Sequence, residues 1–164
     1  YHPCLPQGAP TSPALANHLC AHLDRRLAAL AARFGATYSR YADDLCFSGG
    51  AELRRDLRRF IPLVRRIMRA EGLPSKDAKL RVARKSAQQR VTGLVVNERS
   101  SVPTREVRTL RAILHNCAKH GPATQNRAEH ADFRAHLQGR IAYVAAVDPA
   151  RGSTLQAAFD ALTW

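Results

Sequence analysis

Two adjacent carboxylates, Asp43 and Asp44, sit between two short strand-like runs, residues 37–41 and 45–48, in a strongly basic chain. Neighbouring side chains on a strand point to opposite faces. A tight turn brings such a pair together, and their repulsion then needs something to offset it. A divalent cation is the usual answer, since hard carboxylate oxygens suit Mg2+. On these residues alone a solvated Asp-Asp turn is the commoner occurrence, because Asp is a frequent turn residue. A second stretch with chemical potential is the loop Leu5-Pro6-Gln7-Gly8. Gln7 offers both a donor and an acceptor, and Gly8 lets backbone approach a ligand closely. His18 and His22, four apart on an expected helix, could reach one ion. No second ligand pair follows them, and Cys20 between them reads as a core residue.

These residues need elements to hold them. Ser12 followed by Pro13 reads as a hydroxyl N-cap and a pre-set first helical residue. Leu15, Leu19, Leu23, Leu27, Leu30 and Phe34 recur at helical spacing, so one helix is expected from Ser12 until Gly35 closes it. Residues 37–41 and 45–48 are expected as two strands flanking the Asp-Asp turn. A basic amphipathic helix follows over about residues 52–71, with Leu53, Leu57, Ile61, Val64 and Met68 as its apolar stripe. Pro62 should kink or split it. Residues 80–84 and 90–96 read as strands, the second Val-rich. This order is α+β, with helices on one face of an antiparallel sheet. From Pro103 onward only helix signals appear: Val107, Leu110, Leu114 and Cys117 on one face, then a helix over about 128–147 and a short one to Leu162. A boundary is expected near residues 97–102.

The chain has 164 residues, 45% of them apolar, enough for a core and against global disorder. Its formal charge of +13, carried mostly by arginine, suggests a polyanionic partner, with nucleic acid first. A high-GC genome would favour Arg over Lys, but it does not explain the excess of positive charge. The four scattered cysteines form no CxxC pair, which argues against a zinc ribbon or disulfide framework and for a reducing compartment. No signal peptide or membrane-length apolar run is present, so a cytoplasmic protein with no membrane partner is expected. The first residue is Tyr rather than Met, which suggests a piece of a longer chain.

Three motifs stand in order: Leu5-Pro6-Gln7-Gly8-x-Pro10-x-Ser12-Pro13, Tyr41-Ala42-Asp43-Asp44, and Val91-Thr92-Gly93-Leu94-Val95-Val96-Asn97. At these spacings the chain resembles a reverse transcriptase palm, and the third motif is similar to the retron type of bacterial enzyme. Its helical end, including Leu137-Gln138-Gly139-Arg140, resembles a retron-type thumb. The resemblance implies a partial polymerase palm over 1–97, followed by an all-helical thumb over 98–164. It implies RNA-directed DNA synthesis with Asp43 and Asp44 as catalytic Mg2+ ligands, and Tyr41 and Ala42 beside the primer end. Gln7 and Gly8 would line the incoming dNTP. Lys79 would neutralise or protonate the leaving pyrophosphate. Its surroundings depart from the family pattern: Leu73 stands for Phe, Lys76 for Asn and Leu80 for Thr. Val91 to Asn97 would form a hairpin near the primer strand, or else an ordinary buried strand, with Gly93 allowing close approach, and Arg105, Arg108 and Arg111 would grip duplex phosphates. The implied partners are an RNA template, a DNA or RNA primer duplex, and a cognate non-coding RNA partly copied into DNA, in a family linked to phage defence.

A third palm carboxylate and the fingers lie upstream in the family, and residues 1–4 hold no acid. The chain is therefore expected to be the second half of such an enzyme, inactive alone, with an exposed sheet edge. The alternative is a non-catalytic RNA-binding module that kept the fold.

Overall fold

A computed structural model of the chain describes residues 5–73 and 77–164. Lys76, singled out as a departure from the family pattern, lies outside the described residues. The chain divides into two compact units, residues 1–81 and 82–164.

The first unit is a hairpin with two helices packed on one side of it. Its helices and strands are α1 (Ser12–Leu19), α2 (Ala21–Arg33), β1 (Ala36–Tyr41), β2 (Asp44–Gly49) and α3 (Ala51–Ala70). Strands β1 and β2 pair antiparallel, in a register running from Ala36 opposite Gly49 to Tyr41 opposite Asp44. The strands expected on either side of the Asp-Asp turn are thus present. Burial alternates along β1, with Ala36, Tyr38 and Arg40 on the covered face and Thr37, Ser39 and Tyr41 exposed. Covering comes from α2 and α3. Leu30, Leu53 and Phe60 form the buried centre, and Phe34, Phe47, Leu57 and Val64 pack around it. Phe60 meets Phe34 and Phe47 edge to face, with ring centroids 5.2 and 5.0 Å apart.

Several expectations need correction here. The single helix over 12–34 is two helices that break at Cys20. Leu15 and Leu19, read as part of one stripe, are exposed, whereas Leu23, Leu27 and Leu30 of α2 are buried and Phe34 packs beside them. Cys20 is half-buried rather than core. Ser12 is the first helical residue and not its cap; its hydroxyl donates back to the Pro6 carbonyl at 2.8 Å. Pro62 does not split α3, which runs unbroken for 20 residues. A packed apolar face supplies helical stability that propensity alone would not.

The second unit contains the short hairpin β3 (Arg90–Val91) and β4 (Leu94–Val95), then α4 (Thr104–His120), α5 (Phe133–Val147) and α6 (Pro149–Asp160). No strand forms over residues 80–84, and the expected strand over 90–96 is folded back on itself at Thr92-Gly93. Both of these residues have positive φ, 48° and 88°, the geometry a two-residue hairpin turn prefers. The core is formed by Val102, Val107, Leu110, Leu114 and Cys117 with Leu137, Ile141, Val144, Leu155 and Phe159. Helix α5 begins at Phe133, later than the expected 128, because the Asp132 carboxylate accepts from the Ala135 N–H and caps it there. Asp148 caps α6 in the same way through Arg151 N–H.

Close approach of α5 and α6 depends on Gly152, which is buried, since a Cβ there would run into the backbone and side chain of Ala145. Gly139 in α5 has open space around its α-carbon. Gly152→Ala should therefore destabilise the chain by about 1–3 kcal/mol through overpacking. Gly139→Ala should be neutral or stabilising by up to about 1 kcal/mol. Thermal unfolding of the two variants checks the contrast.

Candidate active site

The Asp43-Asp44 turn is presented by the β1–β2 hairpin and held from behind by one arginine. Arg40, whose side chain is 8% exposed, points from β1 towards α2. Its guanidinium donates through Nε to Asp24 Oδ1 at 2.8 Å and through Nη2 to Asp24 Oδ2 at 2.7 Å. Its remaining nitrogen, Nη1, donates to the Ala42 carbonyl at 3.0 Å. Ala42 is in the left-handed region, φ 52°, as the tight reversal from Tyr41 to Asp44 requires. One buried cation therefore joins helix α2, strand β1 and the backbone immediately before Asp43. Tyr38 adds to the cluster, its hydroxyl donating to Asp24 Oδ1 at 2.7 Å.

The electrostatics follow from these bonds. The Arg40 guanidinium holds the Asp24 carboxyl below the usual carboxylate range; partial burial opposes this and the Tyr38 bond adds to it. Arg40 is held above its ordinary value by Asp24. Burial, then the bond to Asp24, push the Tyr38 hydroxyl up. Asp43 and Asp44 are set differently, on the open side. Asp43 is 85% exposed in its side chain, Asp44 opens β2, and Tyr41 is 70% exposed. The structure also brings Lys79, on a short 3-10 turn (Asp77–Lys79), to 3.9 Å from Asp43 Oδ2. Both partners are solvated, so this pair adds little to stability. It does place an ammonium group beside the acidic turn.

The other expected site residues stand as follows. Gln7 and Gly8 form an exposed turn ahead of α1, with Gly8 at φ 83° and open space around it. Among the described residues, no hydrogen bond or ion pair joins Gln7 to the Asp-Asp turn. Gly93 is at the tip of the β3–β4 hairpin in the second unit, and Arg105, Arg108 and Arg111 are exposed on α4, opposite its buried face. His22 is used otherwise than for metal, pairing with Glu71 Oε1 at 2.8 Å. Glu71 also accepts from Arg26 and is held below the usual carboxylate range by His22 first and Arg26 second.

The residues missed from sequence are Asp24 and Arg40. Arg40 sits at an alternating position of β1 that marks it as covered, but nothing local to residue 24 marks it as the partner. Two adjacent carboxylates on an open turn suit a hydrated Mg2+, which takes one or two protein carboxylates and completes its shell with water and phosphate oxygens. Among the described residues, no group of three or more His, Cys, Asp or Glu gathers into a fuller cluster. No helix among them is long and apolar enough to cross a membrane.

Removing the Asp24 carboxylate should leave Arg40 buried and unpaired. Asp24→Asn is therefore expected to cost about 1–3 kcal/mol at neutral pH. The Asp24 carboxyl is depressed in the folded state, so its stabilisation is full above the ordinary carboxylate range and is lost as pH falls through the folded value. The gap between parent and variant in chemical denaturation should thus close on acidification below about pH 4.

Comparison with known proteins agrees with this geometry. The family model for reverse transcriptase (RNA-dependent DNA polymerase) matches residues 2–110. The chain is 43% identical over 162 residues to the Retron Mx162 reverse transcriptase of Myxococcus xanthus, covering 90% of this chain and 32% of that protein. It is 44% identical over 149 residues to the Retron Mx65 reverse transcriptase of the same organism, covering 91% and 33%. It is 32% identical over 151 residues to the Retron Ec86 reverse transcriptase of Escherichia coli, covering 90% and 43%. The chain thus spans about a third of the length of the first two relatives. With a match over more than half its length, and an Asp-Asp pair at the tip of an antiparallel hairpin, the chain belongs to the reverse transcriptase (RNA-dependent DNA polymerase) family.

Proposed function

We propose that this chain is the catalytic-turn part of the palm, together with the thumb, of a retron-type reverse transcriptase that copies a structured non-coding RNA into DNA. The observation that carries the proposal is the Asp43-Asp44 pair on an open two-residue turn, fixed through the Ala42 carbonyl by Arg40. The Val91-Thr92-Gly93 motif and the retron relatives support the retron type. On this reading residues 1–97 are palm and 98–164 thumb, with the β3–β4 hairpin packing its Leu94 into the helical core.

Asp43 and Asp44 would hold Mg2+. When bound, the metal lowers the pKa of the attacking 3′-hydroxyl and stabilises the leaving pyrophosphate. The chain's own groups do the rest. Arg40 keeps both carboxylates presented on the open side of the hairpin. Tyr41 and Ala42 border the primer end. Gln7 hydrogen-bonds the incoming dNTP or templating base, and Gly8 lets backbone close on it. Lys79 neutralises or protonates the departing pyrophosphate. Gly93 permits close approach to the primer strand, while Arg105, Arg108 and Arg111 hold duplex phosphates.

A second reading, a non-catalytic RNA-binding module, is favoured by one observation. Among the described residues, two carboxylates and no third gather at the turn, whereas a two-metal centre needs more oxygen ligands. Primer extension on an RNA template separates the two. In the complete enzyme, Asp43→Asn should abolish product, at least 100-fold, while leaving template-primer binding within about twofold. Normal synthesis by that variant would remove Asp43 from the metal site. For this chain alone, no product is expected, alongside template-primer binding that weakens as salt rises.

A further inference from the structure

Helix α3 carries a second feature that the Asp-Asp turn does not use. Its apolar side packs on the hairpin and α2: Leu53 lies against Gly49 and Phe60 against Phe34 and Phe47, with Leu57, Leu63, Val64 and Ile67 half-buried around them. The opposite side is a stripe of exposed arginines, Arg54, Arg55, Arg58, Arg59, Arg66 and Arg69. At 3.6 residues per turn these six fall within an arc of about 140°, along about 22 Å of axis. No acid lies inside that arc. Glu52 and Asp56 are at its border, and Arg55 meets Asp56 only at 3.6 Å. The pairs Arg54–Arg58 and Arg55–Arg59 stand at i,i+4, where like charges repel. The fold gains nothing from this repulsion, and a row of phosphates would reverse its sign.

The chemistry of the stripe selects the partner. A helix lying on a membrane inserts its apolar face, and that of α3 is already covered. Protein interfaces use arginine together with aromatic and apolar residues at a desolvated centre; the stripe has the arginines without that centre. Single-stranded nucleic acid is held by aromatic stacking platforms, and none is interleaved here. Guanidinium forks alone suit the phosphates of a duplex, read by shape rather than by base. Rungs four residues apart are about 6 Å apart along the axis. A duplex strand offers a phosphate about every 3.4 Å of its axis, within reach of long arginine side chains.

We infer that the outer face of α3 docks the phosphate backbone of a double-stranded RNA segment, at a surface separate from the Asp43-Asp44 turn. Because α3 covers one face of the hairpin and the carboxylates open on the other side, this segment is not the one being copied. It is another arm of the bound RNA. The choice of RNA follows from the family, described as RNA-dependent.

Fluorescence anisotropy with a 20-base-pair RNA duplex, over a salt series, tests this on the chain as it stands. Arg54→Gln/Arg58→Gln/Arg66→Gln/Arg69→Gln should bind roughly tenfold or more weakly near 0.1 M salt and lower the slope of log K against log salt by about 2–4. Lysine at the same four positions should restore most of the slope. Far-UV circular dichroism should show unchanged helix content. The control Arg25→Gln/Arg33→Gln/Arg81→Gln/Arg84→Gln removes equal charge outside the stripe and should lower the slope by less than 1. Equal losses in stripe and control variants, or no loss in the stripe variant, would overturn the assignment. So would stripe-dependent binding to phosphatidylserine vesicles without stripe-dependent RNA binding. Asp43→Asn should leave the RNA slope unchanged, so a failed catalytic reading and a failed docking surface give different results.

Discussion

A buried guanidinium must be paired, and the first unit is organised around that requirement. Arg40 stays charged at 8% exposure of its side chain, so that charge needs Asp24 beside it, and Asp24 holds its own charge through Arg40 and Tyr38. The bidentate geometry sets distance and orientation together, which a lysine in the same place would not do. Because the third nitrogen reaches the Ala42 carbonyl, the constraint passes from a helix to the turn. Among the described residues, no side-chain hydrogen bond fixes the two solvated carboxylates at the tip. They are placed by the backbone, and the backbone is placed by Arg40.

The same division between covered and open sides explains what could be read in the sequence. The hairpin was legible because alternation along 36–41 and adjacent acids at a reversal are local patterns. The second unit's core was legible because Val107, Leu110, Leu114 and Cys117 keep strict helical spacing, as do Leu137, Ile141 and Val144. Periodicity alone cannot show a break that preserves phase. The leucines at 15 and 19 continue the spacing of 23, 27 and 30, yet the helix stops between them and the two ends differ in burial. Residues 80–84 have strand-like composition but no partner strand among the described residues, and a strand without a ladder does not form. At the site, Asp43, Asp44 and Lys79 could be picked out by type. The nearness of Lys79 to Asp43 and the role of Asp24 are tertiary facts, set by contacts across 36 and 16 residues, with no local signal.

Charge is laid out with the same logic. In each unit, arginines gather on helix faces turned away from an apolar core, on α3 in the first and on α4 in the second. Four of the acids are spent on structure: Asp24 on Arg40, Glu71 on His22 and Arg26, Asp132 and Asp148 on helix starts. Asp43 and Asp44 stand out because, among the described residues, the cation beside them is a solvated lysine. In a chain of net charge +13, an open acidic pair is a local inversion of the field, suited to a cation that the rest of the surface repels.

Asp148 accepts the N–H of Arg151 to begin α6, while its own N–H bonds Val144 to finish α5. One residue therefore serves two helices with no loop between them. The chain entropy spent in closing this helical pair is small, because the contacting segments adjoin in sequence. The first unit must instead bring His22 to Glu71 across 49 residues. Contacts of low sequence separation form fastest, so the α5–α6 pair is the natural nucleus of its unit.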